Sequence, residues 1–191
     1  QSLDARKKND LFFSVHCLLT LEDRAAARLL KNPKLHAQPV RQEEETPLIH
    51  GGRPRRGRIV VAGFGPAGIF AAWLLAKEGD APLVVERGKE IPRRTADVEQ
   101  YWCSGIPDPE SNPLFGEGGA GTFSDGKLTS RSKDSRGDKV LHLLRQAGAP
   151  EEIEYLAKPH VGTDRLREVV QNLRREILEM GGEVRFETCL T

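Results

Sequence analysis

The feature that most constrains this chain is a short apolar run that ends in closely spaced glycines. Arg58-Ile-Val-Val-Ala62 is β-branched and apolar, as a strand covered on both faces should be, and it runs directly into Gly63-Phe-Gly65-Pro-Ala-Gly68. A helical run from Ile69 to Lys77 follows and is closed by Gly79, after which a second apolar strand, Pro82-Leu-Val-Val-Glu86, ends in an acid. Gly63 and Glu86 lie 23 residues apart, close to the ~20 of a βαβ unit that holds a dinucleotide. Strand, glycines, helix, strand and acid in this order predict an α/β unit of Rossmann type.

Each position in that unit has a physical task. Gly63 permits the sharp turn from strand to helix, Gly65 lets backbone approach a pyrophosphate with no Cβ in the way, and Gly68 lets the helix lie close on the strand. N–H groups at the helix start then face the phosphates, and the helix dipole favours their negative charge. Glu86 can accept hydrogen bonds from a ribose hydroxyl pair, and its charge disfavours a 2′-phosphate. The fingerprint leaves NAD and FAD both open, because they share the same ADP half.

Composition narrows the classes around this unit. The 191 residues carry a formal net charge of +1, so no whole-chain field draws the protein to nucleic acid or to an anionic membrane. The longest apolar runs, such as Ile69 to Ala76, have the length of a core helix and fall far short of the ~20 residues that span a bilayer. Gln1-Ser-Leu-Asp-Ala-Arg-Lys-Lys lacks the basic-then-apolar order of a signal peptide, which leads to a cytoplasmic expectation. Cys17, Cys103 and Cys189 form no C-x-x-C pair and read as three independent thiols, with Cys103 open to a redox role beside a cofactor. The histidines show no metal-ligand spacing, and no metal site is expected.

The charge changes sign along the chain, with 11 basic and 7 acidic residues before Gly57 and 18 and 21 from there on. In the first part, Leu11 to Leu21 reads as a strand and Glu22 to Lys31 as a short helix with acids in its first turn, stopped by Pro33. One strand and one helix cannot bury a core alone, so residues 1–50 are expected to be an appendage or part of a small α+β domain. Residues 51–57 form a basic linker. Arg53, Arg55, Arg56 and Arg58 could grip a phosphate or RNA backbone, although so short a run is ordinarily solvated surface.

A second glycine-rich stretch runs from Asp108 to Leu128. Five glycines between Gly116 and Gly126 allow positive φ and present bare N–H groups, while Phe115, Phe123 and Leu128 favour a packed loop over a flexible linker. Gly63-Phe-Gly-Pro-Ala-Gly68 with Glu86-Arg-Gly88 resembles flavoproteins of the two-dinucleotide-binding type. Together with Ala5-Arg-Lys-Lys8, Gly116-Glu-Gly-Gly-Ala-Gly-Thr-Phe-Ser-Asp-Gly-Lys-Leu128 and Lys158-Pro-His-Val-Gly-Thr-Asp164, it makes nearly the whole chain resemble the bacterial FAD-dependent dehydrogenase family of NAD(FAD)-utilising proteins.

The resemblance implies a ferredoxin-like domain, here partial, ahead of a Rossmann-like FAD-binding domain over 58–191 whose C-terminal part is missing. It implies FAD as cofactor, held by Gly63, Gly65, Pro66, Ala67, Gly68, Glu86 and Arg87. Gly118, Gly119, Gly121 and Thr122 would lie along the FAD, and Leu190 would approach the adenine through its backbone. NAD(P)H is then the expected electron donor and the substrate a small molecule, with hydride passing through the flavin.

Ser124, Asp125 and Lys127 are candidates for tuning the flavin or meeting substrate. Lys127 could stabilise a reduced anionic ring but reads equally as an exposed loop lysine, and Asp125 could be a general base or simply a turn former before Gly126. His160 is given no catalytic role. Beyond it, Arg165 to Met180 is predicted as a helix with Leu166, Val169, Val170, Leu173, Ile177 and Leu178 on one apolar face and Thr163 or Asp164 as N-cap. Glu183 to Glu187 is then a third strand of the sheet. Three strands are few for a doubly wound sheet, which predicts a piece of a longer protein, cut at both ends.

Overall fold

A computed structural model describes residues 2–7, 10–40, 56–124, 126–128, 134 and 136–191. The chain divides into two compact units, Leu3–Arg55 and Arg56–Thr191. The candidate linker residues 51–55, including Arg53 and Arg55, lie outside the described residues, as does Asp125.

In the first unit β1 (Ser2–Lys7) and β2 (Asp10–Ser14) pair in a two-stranded sheet, and α1 (Asp23–Leu30) follows. The strand predicted through Leu21 stops at Ser14, and its partner β1 is a segment the sequence pattern left unassigned. A single hairpin offers too little surface to cover its apolar side chains. Phe12 and Phe13 stay 50% and 63% exposed, and α1 buries none of its residues.

The second unit is mixed α/β, built on a parallel sheet in the order β3 (Val60–Ala62), β4 (Leu83–Val85), β5 (Glu183–Arg185). Val61 pairs in register with Val84, and Val84 with Val184. β4 is central and buried, with Val84 fully enclosed, whereas Val60 on the edge strand is half exposed. Arg58, one of the candidate phosphate-gripping arginines, is pinned to this sheet by Glu183 and by the carbonyl of Ala81 at 2.8 Å.

Two helices form the covering layer, α2 (Pro66–Lys77) and α5 (Thr163–Glu179), and they pack on each other. α2 starts at a proline whose missing N–H costs nothing in a first turn, and it ends where Gly79, at φ +85°, donates to Ala76 while Asp80 donates to Leu75. Ile69 and Ala72 share one core with Leu166, Val169, Val170, Leu173 and Ile177, Ala76 is buried further along α2, and Trp73 Nε1 donates to Glu176 at 2.6 Å. Leu178, predicted on the apolar face of α5, is 47% exposed because one residue past Ile177 lies about 100° around the helix.

The N-cap of α5 is Gly162, not Thr163 or Asp164. The Thr163 hydroxyl instead donates to the Ser124 carbonyl at 2.5 Å, tying the helix start to the preceding loop. α3 (Ile91–Ser104) and α4 (Arg136–Gln146), both unassigned from the sequence, complete the unit; α4 contributes Leu143 and Leu144 to the core.

Candidate functional site

A cleft of about 310 Å³ opens at the carboxyl ends of β3 and β4, at the small end of the range for ligand pockets. Its floor is the sheet-to-loop turn: Gly63 at φ +90° donates its N–H to the Val85 carbonyl at 2.8 Å and joins the ends of the two strands. Gly65 then caps α2, and a Cβ on Gly68 would lie 1.9 Å from the Gly63 carbonyl oxygen. That distance is why the third position of the motif takes no side chain. Pro66 and Ala67, in the exposed first turn of α2, do not line the cleft; the Ala67 and Gly68 N–H groups fall in the turn that has no carbonyl acceptor within its own helix.

Glu86 lines the cleft wall and is only 5% exposed. One carboxylate oxygen accepts from Phe64 N at 2.7 Å and the other from Gly88 N at 2.8 Å. Its first task is therefore internal, bracing the fingerprint turn against the end of β4, and each oxygen keeps a lone pair for a further donor. Arg87 beside it also lines the cleft, paired fork to fork with Glu110 at 2.7 and 2.9 Å and stacked 4.5 Å from the centre of the Phe115 ring. Hydrogen bonding to Arg87 holds the Glu110 carboxyl below its usual range.

The second glycine loop docks directly on this turn. Gly118 N donates to the Phe64 carbonyl at 2.9 Å, and Glu117 N to the Lys89 carbonyl at 3.1 Å. A Cβ on Gly119 would come within 3.3 Å of Gly65 Cα, so the two loops meet backbone to backbone, and both glycines line the cleft. Gly118, at φ +81°, and buried Thr122 pack on each other behind them, a Cβ at 118 falling 2.0 Å from the threonine hydroxyl. Gly121 is exposed and makes no close approach.

The remaining candidates stand apart or at the rim. Leu190, 69% exposed, lines the cleft with Thr188 and Cys189, on a segment that continues the pairing of β5 as Thr188 N donates to the Glu86 carbonyl at 2.9 Å. Lys127 is exposed, does not line the cleft, and bridges His160 antiparallel through the backbone. Cys17, Cys103 and Cys189 are free, exposed thiols, and the described residues include no cluster of metal-ligating side chains.

Sequence reasoning missed the groups that hold the second loop. Asp108 accepts from the N–H groups of Glu110 and Ser111 at 2.8 and 3.2 Å, and Asn112 from those of Leu114 and Phe115 at 2.8 and 3.2 Å. Asp-Pro-Glu-Ser-Asn-Pro is a legible signature for such turns. Glu117 is fully buried, accepts from Ile91 N at 2.8 Å at the start of α3, and lies 3.1 Å from Arg174. Burial pushes its carboxyl above the usual range, against the opposing pull of Ile91 N–H and Arg174. Arg94 is also fully buried, with its guanidinium 4.7 Å from the Phe123 ring, and burial pulls its pKa down to about 10. No local pattern distinguishes these two charges from solvent-facing ones.

The second unit is thus a mixed α/β unit with a cleft at the carboxyl ends of parallel strands, lined by glycines of the fingerprint and of the second loop and by residues such as Glu86, Arg87 and Phe115. No family model matches the chain. It is 48% identical over 192 residues to an uncharacterized protein of Clostridium beijerinckii, a match that covers the whole chain and 36% of that relative's length. Among the described residues no helix is long and apolar enough to cross a membrane.

Proposed function

We propose that residues 58–191 are the FAD-binding part of a flavin-dependent oxidoreductase, a Rossmann-like domain in which hydride passes through the flavin to or from a small-molecule substrate, with NAD(P)H as electron donor. One observation carries the reading: a single cleft gathers Gly63 and Gly65 of the fingerprint, the carboxylate of Glu86, and Gly119 of the second glycine loop. Its chemistry suits a dinucleotide. Bare backbone beside a helix start suits a pyrophosphate, a buried acid with lone pairs to spare suits a ribose diol, and Leu114, Phe115 and Leu190 supply apolar walls for a ring.

In this reading Gly65 and Gly119 bind by close backbone approach, Glu86 orients the ribose, and the rim residues exclude water from the ring they cover. The cofactor would supply the redox chemistry, while the chain supplies orientation and electrostatics. The test is a titration of the purified chain with FAD. The expected result is a bound, visible flavin spectrum and a raised melting temperature, with NAD giving a smaller rise. A larger rise with NAD would turn the assignment to an NAD-binding dehydrogenase, and no response to either dinucleotide would overturn it.

A further inference from the structure

We infer that Arg94 is a positioning residue for the cleft, holding the Glu117–Gly118 peptide in the orientation that closes the second glycine loop onto the fingerprint; its link to cofactor binding rests on the reading of the cleft as a flavin-nucleotide site. Arg94 forms no ion pair with a described carboxylate. Each nitrogen of its fork donates to a backbone carbonyl of that loop: Nε to Asn112 at 3.1 Å, Nη1 to Glu117 at 2.6 Å and Nη2 to Pro113 at 3.1 Å. The loop is moulded on the side chain, since a Cβ on Gly116 would lie 2.5 Å from Arg94 Cδ.

The consequence follows from peptide geometry. In a planar trans peptide the C=O and the N–H point in opposite directions. Arg94 draws the Glu117 carbonyl inward, and the N–H of the same peptide, on Gly118, is thereby turned toward the Phe64 carbonyl, which it meets at 2.9 Å. Phe64 N–H in turn donates to Glu86 at 2.7 Å. A row of hydrogen bonds therefore runs from a buried guanidinium to the cleft carboxylate through the backbone of both glycine loops. Gly119, next along, is delivered against Gly65 on the cleft wall. Lysine keeps the charge but has one nitrogen in place of a planar fork, and cannot reach three carbonyls in this arrangement.

The test compares wild type, Arg94→Lys and Arg94→Ala by FAD titration and by amide hydrogen exchange at Gly118. Arg94→Lys should raise the FAD Kd by about tenfold or more, since at least one charged hydrogen bond is lost, and should speed Gly118 exchange. Ethylguanidinium, and not ethylammonium, should restore FAD binding to Arg94→Ala, a rescue that a general loss of stability would not show. Unchanged FAD affinity and unchanged Gly118 exchange in Arg94→Lys would overturn the inference. If both variants fail to fold, the wild type still decides: a Gly118 amide exchanging at the rate of an unprotected loop overturns it, and a protected one supports it. If wild type takes up no FAD while Arg94→Lys still releases the Gly118 amide, the cofactor reading falls and the positioning role stands.

Discussion

Replacing Gly68 with alanine tests whether the fingerprint is a packing device. The added Cβ would lie 1.9 Å from the Gly63 carbonyl oxygen, where ordinary contact begins at 3.4 Å, so the α2 start and the turn must part by about 1.5 Å. The obstacle is backbone that joins β3 to the Val85 carbonyl, and it cannot sidestep as a side chain can. Overpacking of this kind costs about 1–3 kcal/mol, and the rigid neighbour places Gly68→Ala at the upper end. About 3 kcal/mol corresponds to a fall in Tm of roughly 6–12 °C for a chain of this size. Two controls isolate the cause. Gly63→Ala meets nothing within 4 Å but must hold φ +90°, which costs about 1–2 kcal/mol. Gly121→Ala meets neither constraint, and should range from neutral to stabilising by up to about 1 kcal/mol. Denaturant unfolding of the three variants should give the order Gly68→Ala, Gly63→Ala, Gly121→Ala from least to most stable. A Gly68→Ala variant as stable as Gly121→Ala would refute the reasoning.

Two further outcomes follow from the buried acids. Glu86→Ala leaves the Phe64 and Gly88 N–H groups without their acceptors, at about 1–3 kcal/mol each, and Glu86→Gln, which keeps one acceptor oxygen, should lose about half as much; equal denaturation midpoints for all three proteins would contradict the bracing role. Because burial raises the Glu117 carboxyl above its ordinary 4.5, the folded state holds that proton more tightly, and stability falls as pH rises from 4.5 toward the raised value. Subtracting the unfolding free energy of Glu117→Gln from that of wild type should expose this negative slope. A difference that is flat or that rises with pH would sink it, and the carboxyls held low, such as Glu110, act only as pH falls below their unfolded value.

How far the sequence discloses this molecule depends on whether a residue's task is local. The turn at Gly63, the proline at the start of α2 and the Gly79 termination are backbone constraints, and the pattern at 58–86 places them within one to three residues of where they occur. The alternation around Phe12 also reads correctly as extended chain, but a strand ends where its partner ends, and β1 is not visible in Ser2-Leu-Asp-Ala-Arg-Lys7. Arg93 and Arg94 show the limit most clearly. They are adjacent arginines on one helix, yet Arg93 pairs with Glu187 at the surface at 2.7 Å while Arg94 is enclosed by carbonyls. Which of the two is buried is decided by the facing loop, some twenty residues away, and no periodicity within α3 contains that information.

The glycines of the second loop illustrate why composition alone misleads. A stretch so rich in glycine suggests freedom, but at Gly119 and Gly126 another backbone stands where a side chain would be, and at Gly116 and Gly118 the side chains of Arg94 and Thr122 do. A Cβ on Gly88 would lie 2.5 Å from Gly116 Cα, and one on Gly126 would lie 2.7 Å from Gly162 N. Such contacts are made between chain segments and need both partners bare. They are reinforced by Asp108, Asn112 and Arg94, which among them bind main-chain groups of seven residues between Glu110 and Glu117. Close approach lowers the distance between loops, and the polar side chains fix the angle at which they meet. A cleft lined in part by peptide groups can be selective for an anionic, planar ligand only if those groups are held in advance, because each one left to reorient on binding would subtract ordering entropy from the affinity. The function proposed for the cleft therefore depends less on which residues touch a ligand than on the buried side chains that keep two glycine loops in register.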